Sequence, residues 1–490
     1  MIGHGRRSSF FSKLLDEDRL AAFLAGAFLF IIVLTLLFFG SVGTAPFSVV
    51  SSLMFALSLP NAFVFGEPRH TRAPFNLALF ILLVLALWTF VQTLNLSSLL
   101  PSDTVWRNAR GLVGTQNVSI SASPADTLEA LLRIAMPLVT FINALLLCSS
   151  DDRSRTMLVG LGLIGGFVSL FGLLQFIMSP ATLVVVDKEF YLDSLTGVFV
   201  NRNTAATFLG ATVLIILVLT WEKLQSVNVR RAIVQMQDWR SPRGGGMGRA
   251  IIYLILLGAS VTALLLTKSR AGVASTFVAL LFLVPFLAAN WTRQRATDFG
   301  RSTTPGWQKL LSRAVAIAVV LIAFFIFAGQ VLLRAQVRGT DDGRFCVLPN
   351  ILKMLSDHYW IGTGPATFRW MFPAYRDPGC GILGVWDRAH DVYLEGSLAF
   401  GIVFPILLIV ALVALFIFLR EGLRTRKRMR HYPALGFAML VLVGLHSAID
   451  FSLQIPGFAV FFAALMAPVI SLSLGRRSQL TRQRQPDRGN

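Results

Sequence analysis

Residues 334–395 read RAQVRGTDDGRFCVLPNILKMLSDHYWIGTGPATFRWMFPAYRDPGCGILGVWDRAHDVYLE. The apolar run 314–333 precedes this polar stretch, and the run 391–419 begins at its end. Each is long enough for a helix to cross the roughly 30 Å of hydrocarbon in a bilayer. A polar segment between two such runs reads as an extramembrane loop, and the fold question becomes how many runs there are.

Moving outward, twelve apolar runs fit membrane helices: 20–40, 46–65, 74–95, 128–149, 156–178, 204–221, 250–268, 271–290, 314–333, 391–419, 433–450 and 456–474. The composition agrees, with 55% hydrophobic and 14% charged residues, where a soluble domain carries about 25% charged. The runs are continuous rather than alternating, which argues against a β-barrel. The expected fold is all-α and polytopic, with about twelve membrane helices and one large outer loop containing short helices. The segment RRSSFFSKLLDEDR leads into an apolar run of full spanning length with no small-residue cleavage site, so that run reads as a first span.

Charge sets the expected orientation. With twelve spans, both termini share a face. That face takes the N-terminus, the segments near 66–72, 150–155, 222–249, 291–313 and 420–432, and the C-terminal tail. Together these hold 30 Lys/Arg and 11 Asp/Glu, which equals the whole net charge of +19. The opposite face is neutral. By the positive-inside rule the basic face is cytoplasmic. Such an asymmetry points to membrane topology, so nucleic acid is not an expected partner; membrane lipids are, and the run RTRKRMRH at 424–431 suits anionic head groups. The expected organisation is a cytoplasmic N-terminus (1–19), helices one to nine (20–333), a periplasmic loop (334–390), helices ten to twelve (391–474) and a basic cytoplasmic tail (475–490).

Cys148 falls at the cytoplasmic end of a span and reads as an inert core thiol. Cys346 and Cys380 both fall in the outer loop, where an oxidising compartment permits a bridge; spacing alone leaves its geometry open.

Several polar groups gather at the outer face. In PADTLEALL, Pro124 and Asp126 read as a helix start, with Asp126 capping and Glu129 completing a capping box. In GVFVNRNTAATFLG, Asn201 and Asn203 flank Arg202; the amides suit either N-capping or a substrate's hydroxyl or phosphate oxygens. The turn TKSRAG (267–272) holds Lys268 and Arg270 at the membrane face, where Arg270 either snorkels to the interface or aims its fork of donors at a phosphate. Inside the loop, VLPNILKMLSDHYW has helical apolar spacing and suits a short amphipathic helix near the membrane surface. WIGTGPATF reads as a turn, with a phosphate cradle as the weaker alternative, and ATFRWMFPAYR as a second short helix. Last comes DRAHDVYLEGSLAFGI. His390 opens a span at the mouth of an interhelical cavity, with Asp387, Arg388 and Asp391 beside it to set its protonation and orientation. An imidazole of ordinary pKa suits general-base work near neutral pH.

HDVYLEGSLAFG resembles the signature of the O-antigen ligase and O-antigen polymerase superfamily, in which a glycine such as Gly401 follows the histidine at this spacing. GRF with its following helix, DHYWIGTGPATF, TKSRAG, GVFVNRNTAATFLG, ISASPADTLEALL and HSAIDFSLQIPG are similar to further landmarks of that family, in order, from about 118 to 465. The sequence differs from the pattern at Asp391, where Asn, Ser or Gln is usual, and at Phe404, where Gly, Thr or Tyr is usual.

The resemblance implies a metal-independent, inverting glycosyltransferase of the GT-C type, without a cofactor, in the bacterial inner membrane with its site facing the periplasm. It implies a glycan donor on undecaprenyl diphosphate and a glycan or lipid A-core acceptor. It assigns catalytic roles to His390, Arg270 and Arg344, with Arg202 and Arg338 as candidates for donor contact; Asn203, Lys268 and Arg388, polar groups at the same face, are further expected substrate contacts. A ligase acting on lipid A-core is the leading expectation. A polymerase joining lipid-linked repeats is the alternative, since only the acceptor differs. A transporter or flippase is more remote, because the span interiors are nearly free of ionisable residues.

Overall fold

A computed structural model of the protein describes residues 17–66, 68–95, 119–226, 245–298, 343–380 and 384–475. The chain is an all-α polytopic membrane protein. Among the described residues, ten helices are long and apolar enough to cross a membrane. They are α1 (Glu17–Leu37), α2 (Thr44–Phe65), α3 (Arg72–Thr93), α4 (Pro124–Leu147), α5 (Asp151–Met178), α6 (Arg202–Ser226), α7 (Gly245–Leu266), α8 (Arg270–Asp298), and, after the loop, α12 (Val403–Thr425) and α14 (Pro456–Leu474). Between the last two lies the shorter α13 (His431–Ser447), which at 17 residues is about 26 Å long. The expected span 314–333 lies outside the described residues.

α6 and α14 form the centre. In its most apolar window α6 is 94% buried inside the protein and α14 83%, against 11% for α12 and 17% for α3, which present apolar side chains outward. A buried centre needs its hydroxyls satisfied, because hydrocarbon offers no partners. Thr207, Thr212 and Thr220 of α6 therefore donate back to the carbonyls of Asn203, Phe208 and Ile216. Between these hydroxyls, Phe208 packs against Phe199 and Phe461 at ring separations of 5.4 and 4.7 Å. Polar pairs also join helices: Asn61 of α2 donates to Asn143 of α4 at 2.8 Å, and Ser260 of α7 to Ser169 of α5 at 3.0 Å.

The outer part has a small core of its own. Its helices are α9 (Gly343–His358), α10 (Phe368–Met371) and α11 (Val392–Phe400), with short 3-10 turns at Phe372–Tyr375 and Pro378–Cys380. α9 is amphipathic, as its spacing requires, and its stripe of Val347, Ile351 and Met354 packs on Phe368, Met371, Phe372 and Leu398. Cys346 and Cys380 form a disulfide that ties α9 to the Pro378–Cys380 turn. A two-stranded hairpin, Thr182–Leu183 with Val186–Asp187, decorates the loop between α5 and α6.

The run 391–419 is not one helix. It breaks at Gly401, whose φ is +61°, into α11 and α12. The cause is close backbone contact. A Cβ on Gly401 would lie 2.5 Å from the carbonyl oxygen of Trp360, and one on Gly362 would lie 2.5 Å from that of Ala399. WIGTGPATF is pressed against the end of α11: the N–H groups of Thr363 and Gly364 donate to Leu398 and Ala399, and Ile402 N–H donates back to Trp360. Trp88 and Gln92, one turn apart on α3, complete this clasp. The Trp88 indole donates to Phe400 O at 3.0 Å, and the Gln92 amide donates to Ile361 O and Ala399 O at 2.8 Å each. The glycines of this motif therefore allow backbones to meet; they do not form a phosphate cradle.

Candidate active site

His390 is fixed from both sides of the chain. Its backbone is left-handed, with φ +59°, a conformation histidine adopts more readily than most residues. Downstream, Asp391 N-caps α11, its Oδ1 accepting from the N–H groups of Tyr393 and Leu394 at 2.8 and 2.9 Å. Upstream, Glu395 Oε2 accepts from Ala389 N–H at 2.8 Å. The imidazole lies between Trp386, 5.1 Å away, and Phe451, 5.0 Å away and edge-on. Its Nδ1 is 3.1 Å from the carbonyl oxygen of Arg388. A carbonyl only accepts, so Nδ1 carries a proton and Nε2 is the basic nitrogen.

Arg388 is held by Glu395, 3.4 Å away, and by Gln454 Oε1, to which it donates at 2.7 Å. It also lies over the ring of Phe451 at 5.8 Å. Phe451 and Gln454 come from HSAIDFSLQIPG, so that motif supplies one wall of the site.

These groups face a cavity of about 1060 Å³, at the upper end of ligand-site volumes. His390, Arg388, Glu395 and Gln454 line it together with Glu129 and Arg133 from α4. Asp126 is also at its rim but is not the helix cap; Ser123 holds that position. Being in the first turn, Asp126 accepts from the Trp370 indole at 2.6 Å and from Arg369 at 3.3 Å, so it anchors the outer loop to α4.

The hairpin between α7 and α8 carries a second cluster. Lys268 pairs with Asp193 at 2.9 Å, and that ammonium, with the Ser194 hydroxyl, holds the Asp193 carboxyl below its usual range. Ser269 Oγ donates to Asn203 Oδ1 at 2.8 Å, and Asn201 Oδ1 accepts from Asn203 N–H at 2.7 Å. Of the two readings for these amides, capping describes Asn201, whereas Asn203 is a tie between α6 and the hairpin. Arg202 donates to Ser194 Oγ at 3.4 Å and lies 5.2 Å over the Tyr191 ring. Arg270 opens α8 beside them. A buried network continues inward: Thr207 Oγ1 is 2.9 Å from His446 Nδ1, and Ser452 donates to Asp450 at 3.2 Å.

The structure thus brings His390 and Arg388 together on the cavity, and Arg202 and Asn203 at the start of α6 near Lys268 and Arg270 at the hairpin. Tyr191, Asn201 and Thr204 connect the two, being cavity walls on the segment that supports Arg202. Arg344 belongs to α9; its side chain, like the whole of Arg338, lies outside the described residues. Sequence reasoning passed over Glu395, Gln454, Trp88 and Gln92. The first two stand inside quoted motifs, and the last two form an i, i+4 polar pair near the end of an apolar helix. Among the described residues no group of three or more His, Cys, Asp or Glu side chains is arranged to hold a metal ion.

Residues 252–409 match the family model described as O-antigen ligase. A comparison with curated proteins gives no match. The matched segment contains both Arg270 and His390, and its family has O-antigen ligase-like or polymerase-like function on lipid-linked glycans in a membrane. Over these residues the chain is similar to the O-antigen ligase family, which supports a place in the O-antigen ligase and polymerase superfamily.

Proposed function

We propose that the protein is an inverting glycosyltransferase that moves a glycan from undecaprenyl diphosphate onto a hydroxyl of lipid A-core, at the periplasmic face of the bacterial inner membrane. The observation that carries this reading is the His390 imidazole, with Nδ1 bound to the Arg388 carbonyl and its ring at a cavity wall. Nε2 takes the proton of the acceptor hydroxyl. The acceptor oxygen attacks the anomeric carbon from the side opposite the diphosphate, the sugar–phosphate bond breaks, and undecaprenyl diphosphate leaves as an anion. Arg270 and Arg344 stabilise the charge that develops on it, worth several kcal/mol where donors are aimed in advance. Arg202, Arg338 and Arg388 contact the substrates; Lys268 and Asn203 fix the hairpin that carries Arg270. The scheme needs no metal and no cofactor, because guanidinium groups meet the leaving charge.

The positive-inside balance supports cytoplasmic termini and an outward-facing site. A disulfide in the loop agrees with an oxidising compartment.

The test is a deletion strain complemented with wild type, His390→Ala or Arg270→Lys, with surface glycan resolved on gels. Loss of attached glycan with lipid-linked polymer retained identifies a ligase. Accumulation of single repeat units identifies a polymerase, which would use the same residues on a lipid-linked acceptor. An unchanged profile in the deletion strain sinks both readings. Normal product from a well-expressed His390→Ala removes the general base.

A further inference from the structure

Arg133 lies nine residues past Pro124 on α4, about 14 Å along that membrane helix. Its side chain lines the cavity, with the guanidinium 4.7 Å over the Phe47 ring and Nη1 donating to Val42 O at 3.1 Å. Among the described residues no carboxylate lies within ion-pair distance of it. Glu129 attracts it from longer range, and Arg388 is close enough to repel it. A guanidinium has five N–H donors, and the Val42 carbonyl takes one. An arginine in a membrane helix with no carboxylate at ion-pair distance is costly, and such residues mark substrate paths. The same cavity has an apolar crevice: Leu85 of α3, Ile134 and Pro137 of α4 and Phe404 of α12 all line it. A cation at the head of an apolar crevice matches a lipid that carries a phosphate.

We propose that Arg133, with Arg388, forms an anion subsite for a lipid-borne phosphate whose chain lies along Leu85, Ile134, Pro137 and Phe404. The inference rests on the transferase reading in one respect: Arg270 meets the donor diphosphate, which leaves this subsite to the second substrate. Two lipids carry that chemistry, phosphorylated lipid A and a second polyprenyl diphosphate.

The test measures binding rather than turnover. The purified full chain in detergent is titrated by native mass spectrometry with hexa-acylated lipid A bisphosphate, with undecaprenyl diphosphate, and with the dephosphorylated form of each. At least one phosphorylated lipid is expected to bind about tenfold tighter than its dephosphorylated form. Arg133→Gln is expected to remove that factor, and Arg133→Lys to restore part of it. Arg270→Gln should leave the Arg133-dependent binding in place, and whether that binding is to lipid A or to undecaprenyl diphosphate names the source. Leu85→Trp narrows the crevice without touching Arg133 and should cost a similar factor, which covers the case in which Arg133→Gln fails to fold. The proposal is overturned if Arg133→Gln, or Leu85→Trp in its stead, binds both phosphorylated lipids within twofold of wild type. A wild type that binds in this way yet transfers no glycan overturns the transferase reading alone.

Discussion

Glu395 Oε2 accepts a hydrogen bond from the backbone N–H of Ala389 at 2.8 Å, while Oε1 of the same carboxylate is 3.4 Å from the Arg388 guanidinium. One side chain thus holds the two residues that precede His390. Glu395 is the more enclosed partner, 12% exposed against 35% for Arg388, so a neutral replacement leaves a partly desolvated arginine without its carboxylate. Glu395→Gln is predicted to lower kcat by tenfold or more, with a smaller change in the donor KM, because the defect lies in the orientation of the imidazole. Glu395→Asp should be no better, since the shorter arm cannot reach both groups. Initial-rate kinetics on purified protein check this; a pure KM effect would recast Glu395 as a substrate contact.

The clasp between WIGTGPATF and α11 should be sensitive to single methyl groups. Gly362 and Gly401 each have positive φ, and a methyl group on either would sit 2.5 Å from a carbonyl oxygen, so alanine meets both backbone strain and a backbone clash. Gly362→Ala and Gly401→Ala are each predicted to cost about 2 kcal/mol or more. Gly384 has a similar φ of +87° but open space around it, so Gly384→Ala isolates the strain and should cost about 1 kcal/mol. Thermal unfolding followed by tryptophan fluorescence in one detergent ranks the three. Equal losses would mean that the close approach contributes nothing.

The membrane fold was legible because hydrocarbon imposes a length and an apolarity on each span, and charge marks a face. What was not legible is where a long run breaks. The apolar pattern of 391–419 is continuous, and the break at Gly401 comes from Trp360, some forty residues away, whose carbonyl oxygen occupies the space of a side chain. The same limit applies to the site. His390 could be singled out from its neighbours in sequence, but Gln454 and Arg133 reach the cavity from other helices, and their partners are set by packing. Asp126 shows the reverse error: its spacing suited a cap, yet Ser123 took that position and the carboxylate turned to Trp370.

The disulfide predicts a chemical signature. Cys148 is fully buried, and burial in an apolar core keeps a thiol protonated and inert. Native protein should therefore react with no maleimide, and unfolded protein should take up one label before reduction and three after it. The bridge closes a segment with a sequence separation of 34, for which chain entropy gives roughly 3–4 kcal/mol. The double variant Cys346→Ser, Cys380→Ser should unfold at lower temperature and lose α9 packing first, read as protease cleavage within 343–380. Three labels without reductant would place the loop in a reducing compartment and reverse the topology.

Asp391 tests whether the histidine needs a charged neighbour. Its Oδ1 is engaged by two N–H groups of α11, so the carboxylate serves as a cap. Asparagine and serine make the same bonds, which gives a physical reason why an acid can stand where those residues are usual in the family. Asp391→Asn is therefore predicted to retain activity within about twofold and stability within about 0.5 kcal/mol, whereas Asp391→Ala should cost about 1 kcal/mol and loosen the turn that holds His390. The two variants are compared by transfer rate across pH 5 to 8 and by thermal unfolding. If asparagine shifted the acidic limb of the rate profile as strongly as alanine does, the negative charge of Asp391 would act directly on the imidazole, and the cap alone would not explain its presence.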